Sequence, residues 1–375
     1  MINTRLVLVS LSVYTFDVSK TTFEDKDMVS MRIRARNTCR RDRYWLRGWP
    51  SRRTHGVTTR PRIPTYVSLL EEFPMRVFVT GATGYIGSAI VRELLAAGHQ
   101  VVGLARSDTA AAALKAADAE VHRGALDDLD SLRDGAAAAD GVIHLAFNNI
   151  SLRTDFAASV QADLRAVETI GAALEGSGKP FVITSGTLLL ASLGRLGTEE
   201  DVADPALPRV ASENAAIAFA KRGVRSSVVR LAPSVHGEGD RHGFVPSLIG
   251  IARAKGVAAF VGDGSNRWPA VHRLDAARLF RLAAEAAPAG SRLHGAGEEG
   301  VPFREIAEAI GRQLKLPVVS IEASDAGAHF GFLSAFVSAD YPTSSKQTQE
   351  LLGWRPQGPA LIADIEQGHY FNHER

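Results

Sequence analysis

Three glycines spaced three residues apart constrain the fold of this chain more than any other feature. An apolar run at 76–80 leads into Gly81-Ala-Thr-Gly84-Tyr-Ile-Gly87, and the residues that follow, as far as Ala97, place apolar side chains on one helical face. A strand, a glycine turn and a helix in this order favour a bound pyrophosphate, because glycines let the backbone approach a ligand and the first N–H groups of a helix attract an anion. The alternative is an ordinary strand-to-helix turn in which the glycines serve packing alone.

The length and the single cysteine limit the class of protein. A chain of 375 residues can bury a large core and form one large domain or two lobes. Cys39 is the only cysteine, which excludes an intrachain disulfide and a cysteine-based metal site, and we expect no metal. No run reaches the roughly 18–20 apolar residues of a membrane-spanning helix, and no secretory signal is predicted at 6–11. We therefore predict a cytoplasmic protein that does not contact a membrane.

The formal net charge of +2 conceals a basic leader and a mildly acidic body. Residues 1–74 contain 14 Lys plus Arg against 7 Asp plus Glu, whereas the remainder contains 29 against 34. The leader shows no sustained period, so we predict a basic, disordered extension at 1–74. A nucleic-acid arm or a transit peptide is an alternative, although the four acids between Asp17 and Asp27 argue against transit. The acidic body gives no support for nucleic-acid binding.

From Met75 onward, apolar strands alternate with helical patterns. Strands are predicted at 100–104, 120–122, 141–146, 180–185 and 227–231, and helices at 110–117, 156–174 and 211–222. This alternation indicates the α/β class with a Rossmann-type, doubly wound parallel sheet. Because ligands of such sheets bind beyond the carboxyl ends of the strands, we expect one crevice to collect the following residues: the glycine loop, Arg106, Ala146, Phe147, Thr184 and Ser185.

The sequence after Leu231 is more broken and indicates a smaller lobe. Short strands are mixed with helices predicted at 244–255, 274–286, 303–316 and 344–352. We expect a C-terminal α/β lobe that covers the crevice and selects the substrate. The predicted division is therefore a nucleotide-binding domain at 75–232 and an interleaved substrate-binding lobe at 233–375.

The end of the second strand indicates which nucleotide is bound. An acid there hydrogen-bonds the ribose of NAD, whereas an arginine accommodates the 2′-phosphate of NADP. Arg106 lies at this position, and Ser107 can add a hydrogen bond to phosphate. Asp108 would favour NAD if the register moved slightly, and Arg106 could instead be a solvated loop charge. We predict NADP, with NAD as the alternative.

These motifs resemble the extended, NAD-dependent epimerase/dehydratase-like form of the short-chain dehydrogenase/reductase superfamily. The similarity runs over most of 75–370 and includes the glycine loop, Val142-Ile-His-Leu-Ala146, Val229-Arg-Leu-Ala-Pro-Ser-Val-His-Gly237 and Val271-His-Arg-Leu-Asp-Ala276. Together with the glycine motif, the resemblance implies the following cofactor-binding residues: Gly81, Thr83, Gly84, Tyr85, Ile86, Gly87, Arg106, Ser107, Leu126, Ala146, Phe147, Thr184 and Pro233.

The resemblance fails at the residues that normally carry the family's chemistry. The family uses Tyr-x-x-x-Lys with an upstream Ser or Thr, and here the pair is replaced by Arg209 and Glu213. Arginine stays protonated and is a poor general acid, and a glutamate would raise the pKa of a nearby phenol. Asp163 replaces an asparagine that is usual on the long helix. The chain therefore resembles an atypical branch.

Other side chains could supply the missing proton. The predicted catalytic residues are Ser185, Thr187, Asp163 and His236. For His236, a structural role with satisfied hydrogen bonds is an open alternative, as it is for His272. Asp275 lies in the same motif as His272. Three further side chains could bind an anionic or ring-bearing substrate: Arg241, Arg267 and Trp268.

Two functions remain open from the sequence. The first is an NAD(P)-dependent oxidoreductase or epimerase-like enzyme, with NADP favoured, that acts on a carbonyl or alcohol of a small molecule. The second is a catalytically inactive NADP-binding sensor or scaffold, which the loss of both the tyrosine and the lysine would explain. The family's four-helix dimer contact corresponds here to the helices at 153–174 and 211–222, so we expect a monomer or homodimer.

Overall fold

The computed structural model describes residues 74–147 and 156–372. Apart from Pro74, the predicted extension at 1–74 lies outside the described residues. Within these ranges, no helix has both the length and the apolar character that crossing a bilayer requires. The same part of the chain holds no group of three or more His, Cys, Asp or Glu side chains arranged to bind a metal ion.

The described residues form twelve β-strands. In chain order they are β1 (Arg76–Thr80), β2 (Gln100–Ala105), β3 (Glu120–Arg123), β4 (Gly141–His144), β5 (Pro180–Gly186), β6 (Arg225–Leu231), β7 (Ser234–His236), β8 (Ala258–Val261), β9 (Arg267–His272), β10 (Ser291–Gly295), β11 (Glu298–Pro302) and β12 (Val318–Ile321).

Twelve α-helices accompany these strands in the described part of the chain. In order they are α1 (Tyr85–Ala96), α2 (Asp108–Ala116), α3 (Leu129–Ala137), α4 (Phe156–Ala173), α5 (Val210–Phe219), α6 (Phe244–Lys255), α7 (Arg273–Ala286), α8 (Phe303–Leu314), α9 (Ala326–Phe330), α10 (Ser334–Val337), α11 (Lys346–Leu352) and α12 (Leu361–Glu366).

Seven strands form one parallel sheet in the order β10-β6-β5-β4-β1-β2-β3. The chain moves from β1 outward through β2 to β3 and then returns to the other side of β1 as β4. This reversal opens a crevice at the carboxyl ends of β1 and β4, which is where ligands of doubly wound sheets bind. The predicted α/β class and doubly wound parallel sheet are confirmed.

Helices cover both faces of the sheet. Val77 and Val79 of β1 lie in the core that α1 and α7 close, whereas Phe78 between them lies in the opposite core with α4 and α5. Successive residues of a strand point to opposite faces, so a central strand buried on both sides has consecutive apolar residues, as at Val77, Phe78 and Val79. This is why the run at 76–80 was recognisable as a buried parallel strand.

One helix of the sheet layer was not predicted, and one strand of the large sheet comes from the later part of the chain. Helix α3 was not predicted, because only Leu132, Gly135 and Ala136 of its nine residues are buried and the others are mostly charged or small. Strand β10 comes from beyond residue 232, yet it pairs with β6 and completes the large sheet. The domain boundaries stay a prediction, since the chain returns to the sheet after the proposed division.

A third apolar core lies among the later elements, between α6, α8 and the small sheets β11-β9-β7 and β12-β8. Trp268 is at its centre with no exposed surface, and its ring lies 4.9 Å from that of Phe303. The expectation that Trp268 contacts the substrate is therefore wrong, because its side chain is enclosed by this core. Arg267 beside it forms an exposed ion pair with Asp340 at 2.8 Å.

Candidate active site

The glycine loop is shaped by close backbone contacts. Gly81 has φ +70°, and a Cβ there would lie 2.9 Å from the backbone nitrogen of Ala146, which follows β4. A Cβ on Gly87 would overlap the carbonyl oxygen of Gly81. Both positions therefore exclude a side chain, and the loop packs directly against the end of β4.

The start of α1 is free to bind an anion. Its N-cap, Gly84, has an extended backbone and provides no side-chain cap, and Thr83 and Gly84 are both exposed. The first N–H groups of an uncapped helix suit a phosphate. The narrow backbone cradle and these free donors fit the pyrophosphate of a dinucleotide, with Tyr85 and Ile86 half-buried in the first turn.

The residues at the end of β2 have separate roles. Arg106 is exposed and has no ion-pair partner among residues 74–147 and 156–372. Asp108 pairs with Arg123 at 2.5 Å, and Ser107 caps α2 by accepting a hydrogen bond from the backbone nitrogen of Ala110 at 3.2 Å. Arg106, which is predicted to select the cofactor, thus has no ionic partner among these residues, whereas the neighbouring Asp108 is paired with Arg123. Leu126 is half-buried and packs against the core below β1.

A buried chain of polar groups runs from β1 to α4. The Thr80 hydroxyl oxygen accepts from the backbone nitrogens of Leu145 and Ala146, both at 3.2 Å, and lies 2.7 Å from Nδ1 of His144. Its own hydrogen must therefore point to Nδ1, which leaves the Nε2–H of His144 to donate to Asp163 at 3.4 Å. The buried Asp163 side chain is held in place through this chain.

Arg209 is the next member of that network. Its Nη2 lies 3.6 Å from Oδ2 of Asp163 and donates to the Thr184 carbonyl at 3.1 Å, and its guanidinium lies 4.3 Å from the centre of the Phe147 ring. Burial raises the pKa of the Asp163 carboxyl, but the hydrogen bond from His144 and the charge of Arg209 outweigh burial and hold this pKa below its ordinary value. The structure thus brings Asp163, Thr184 and Phe147 together around Arg209.

Glu213 lies in a second buried network. It accepts from Nε of Arg230 at 3.0 Å, from Nη2 of the same residue, from Nε of Arg292 at 2.9 Å and from the Ser185 hydroxyl at 3.1 Å. Burial raises the pKa of the Glu213 carboxyl, but the hydrogen bonds and charges of Arg230 and Arg292 outweigh it and lower the pKa. The lysine position of the family therefore holds a fully paired carboxylate.

The predicted hydroxyl groups are enclosed. Ser185 is buried and donates to Glu213, and Thr184 donates to the carbonyl of His144 at 3.1 Å. Thr187 has no exposed surface, and its hydroxyl has no hydrogen-bond partner in the part of the chain that the structure describes. Their catalytic roles stay a prediction.

His236 belongs to a different cluster. Its Nδ1 lies 3.0 Å from Oδ2 of Asp364, whose other oxygen contacts His369 at 3.0 Å, and its ring meets that of His272 edge-on at 5.5 Å. Both His236 and Asp364 are buried, and Nε2 of His236 has no hydrogen-bond partner among the described side chains and backbone. The next residue, Gly237, accepts a hydrogen bond from the Tyr85 hydroxyl at 3.1 Å, which links this cluster to α1.

Asp275 has a structural role, and Pro233 lies near the sheet. Asp275 accepts from Arg278 and from the backbone nitrogens of Gln357 and Gly358, so it anchors the segment before α12. Pro233 is half-buried in the link between β6 and β7.

Comparison with known proteins adds to this geometry. The model of the NAD dependent epimerase/dehydratase family matches residues 77–294. An uncharacterized protein of Schizosaccharomyces pombe is 51% identical over 299 residues, which are 79% of this chain and 100% of that protein. A 4-hydroxy-2-methyl-3-oxo-4-farnesyl-3,4-dihydroquinoline-1-oxide ketoreductase of Stigmatella aurantiaca is 26% identical over 68% of this chain and 80% of its own length. A dTDP-glucose 4,6-dehydratase of Streptomyces venezuelae, solved as a double mutant with NAD bound, has the same fold with a TM-score of 0.65, at 21% identity over 80% of this chain and 98% of that chain.

Proposed function

The chain belongs to the NAD-dependent epimerase/dehydratase family, and from this premise we propose that it is an NADP-dependent oxidoreductase or epimerase-like enzyme acting on a carbonyl or alcohol of a small molecule. The observation that carries the proposal is a glycine loop that accepts no side chain at Gly81 or Gly87, followed by an uncapped helix. The Stigmatella ketoreductase supports the reduction of a carbonyl as the reaction class.

Different residues of this chain would bind the different parts of the cofactor. The glycine loop and the first turn of α1 would hold the pyrophosphate, and Arg106 the 2′-phosphate. The nicotinamide half would lie at the carboxyl ends of β4 and β5, beside Phe147, Thr184 and Pro233. When bound, the nicotinamide supplies or accepts a hydride. The protein contributes position and electrostatics.

A second candidate function is an NADP-binding sensor without catalytic activity. The observation that favours it is the pairing of Glu213 with two arginines, which leaves that carboxylate no chemical role in the crevice. A screen of the purified protein with NADPH against aldehydes, ketones and nucleotide sugars distinguishes the two functions. The enzyme oxidises NADPH above the blank with at least one class, whereas the sensor binds NADPH and oxidises none.

Replacing Arg106 by alanine is expected to weaken the binding of NADPH by about 10- to 100-fold and to leave the binding of NADH unchanged. A charge-assisted hydrogen bond contributes about 1.5–3 kcal/mol, and only NADPH carries the 2′-phosphate that would receive it. Fluorescence titrations of both nucleotides measure the ratio. Arg133→Ala, which removes an exposed arginine on α3, is the matched control. An equal loss for both nucleotides would show that Arg106 does not select the cofactor.

A further inference from the structure

Arg209 places a cation at the edge of the ligand crevice. It contacts the Thr184 carbonyl near the end of β5 and the Phe147 ring just after β4. Ligands of doubly wound sheets bind at these carboxyl ends. A quarter of the Arg209 side chain is exposed, at 25%. Part of the Arg209 side chain is therefore exposed at this edge, while the Thr184 carbonyl and Asp163 hold the guanidinium in place.

The carboxylate of Asp163 attracts the Arg209 guanidinium by its charge but accepts no hydrogen bond from it. The Asp163 side chain is 3% exposed, and its Oδ2 accepts no hydrogen bond from any described residue, although Nη2 of Arg209 lies 3.6 Å away. The other oxygen, Oδ1, is occupied by His144. The buried Asp163 carboxylate therefore orients the Arg209 guanidinium through their ion pair, and Oδ2 is the oxygen that faces the arginine.

Among the described residues, most of the hydrogen-bond donors of Arg209 have no partner. A guanidinium has five N–H groups, and Nη2 uses one on Thr184. Nε is buried without a partner, and Nη1 makes no hydrogen bond within 74–147 and 156–372. Because arginine keeps its protons, it cannot replace a tyrosine as an acid. It can, however, stabilise negative charge where that charge develops.

We propose, on the basis of the proposed function, that Arg209 binds the reacting oxygen of the substrate and stabilises the negative charge that this oxygen gains during reduction, with Asp163 as the positioning residue. The reduction adds one hydride from the nicotinamide to the carbonyl carbon, and the C=O π pair moves to the oxygen. The oxygen then takes one proton from water, which leaves hydroxide in the buffer. The guanidinium keeps all its protons, so the reaction balances without a side-chain acid.

The first test measures binding of an oxyanion probe. Acetate is titrated by calorimetry into protein saturated with NADP⁺, for wild type, Arg209→Met and Arg209→Lys. We expect at least about a tenfold weaker acetate affinity for Arg209→Met and an intermediate value for Arg209→Lys, while the affinity for NADPH stays unchanged. Arg222→Met is the matched control, because Arg222 also stacks on a phenylalanine and pairs with a carboxylate but lies on the surface.

The second test uses turnover with a substrate from the screen. Arg209→Met is expected to lower kcat by about 10²–10³-fold, the effect of removing an oxyanion donor, with Arg222→Met at the wild-type rate. Asp163→Asn is expected to lower kcat and to weaken acetate binding without changing the affinity for NADPH. The wild-type kcat should change little between pH 6 and 9, whereas a reaction that used a histidine as its acid would slow as the pH rises.

The outcomes separate this inference from the proposed function. If wild type oxidises NADPH and Arg209→Met does so at the same rate, or binds acetate equally well, the role of Arg209 is refuted and the function stands. If wild type binds NADPH but oxidises none, acetate binding that depends on Arg209 supports the oxyanion site, and binding that does not depend on it overturns the site. If wild type fails to bind NADPH, both proposals fall.

Discussion

Replacing Glu213 by lysine is expected to remove most of the stability of the protein, although this change restores a residue that the family normally has. Glu213 is 1% exposed and lies between Arg230, which has no exposed surface, and Arg292. A lysine there would place three cations together in a buried site. Breaking a buried ion pair costs about 3–5 kcal/mol, and added repulsion increases the loss. Total stabilities are about 5–15 kcal/mol, so most of the stability would be lost.

Urea unfolding followed by circular dichroism measures this effect. Glu213→Gln, which removes only the charge, should fall between wild type and Glu213→Lys in its midpoint. Glu175→Lys is the control, since Glu175 forms an exposed pair with Arg222, and it should unfold close to wild type. A Glu213→Lys protein with the wild-type midpoint would show that this network does not hold the two arginines as described.

Replacing Gly87 by alanine is expected to weaken NADPH binding by at least about tenfold and to destabilise the protein by about 1–3 kcal/mol. The new Cβ would overlap the carbonyl oxygen of Gly81, which is backbone and cannot rotate away. The loop would have to move away from the first turn of α1, and the free N–H groups would no longer be positioned for the pyrophosphate.

Gly250→Ala provides the matched control for this substitution. Gly250 lies inside α6, and a Cβ there meets no atom within 4 Å. Alanine is favoured over glycine in a helix by about 1 kcal/mol, so the control should be as stable as wild type or more stable. Titration with NADPH and thermal unfolding of both variants test the prediction. Wild-type affinity in Gly87→Ala would mean that the nucleotide does not lie on this loop.

The large sheet was predictable because its signals are local. Buried runs such as 76–80 and the helix patterns between them depend on residues close together in the sequence. The glycine loop was predictable for the same reason, whereas the role of Arg106 in cofactor selection stays a prediction. Ser107 differs in part, because a hydroxyl just before α2 can bind phosphate or cap the helix, and in the structure it caps the helix.

The counter-ions of the site were not predictable, because they come from distant parts of the chain. Glu213 pairs with Arg230 and Arg292, which lie 17 and 79 residues away, and His236 pairs with Asp364 at a separation of 128 residues. The sequence showed that the tyrosine and lysine were missing, but not that each replacement has an opposite charge beside it. Sequence reasoning also treated His144 as part of a strand and missed its link to Asp163.

The ion pairs of Arg209 and Glu213 indicate different roles for these two replacements. At two positions that the family uses for chemistry, Arg209 places a cation where a neutral tyrosine is usual and Glu213 an anion where a lysine is usual. Asp163 pairs with the first and Arg230 with the second, so both charges are compensated within the fold. Glu213 is enclosed by its partners, whereas Arg209 beside Phe147 is partly exposed and has donors without a partner among the described residues. This difference is why we expect Arg209 to act in the crevice and Glu213 to stabilise the fold.

The central claim is that the crevice binds NADP. Titration of the full chain with NADPH and with NADH at one salt concentration tests this claim most directly. We predict saturable changes in nucleotide fluorescence, with NADPH bound at least about tenfold more tightly than NADH. If neither nucleotide changes its fluorescence over the titration, the glycine loop is a turn shaped only by packing, and the enzymatic function proposed here is wrong.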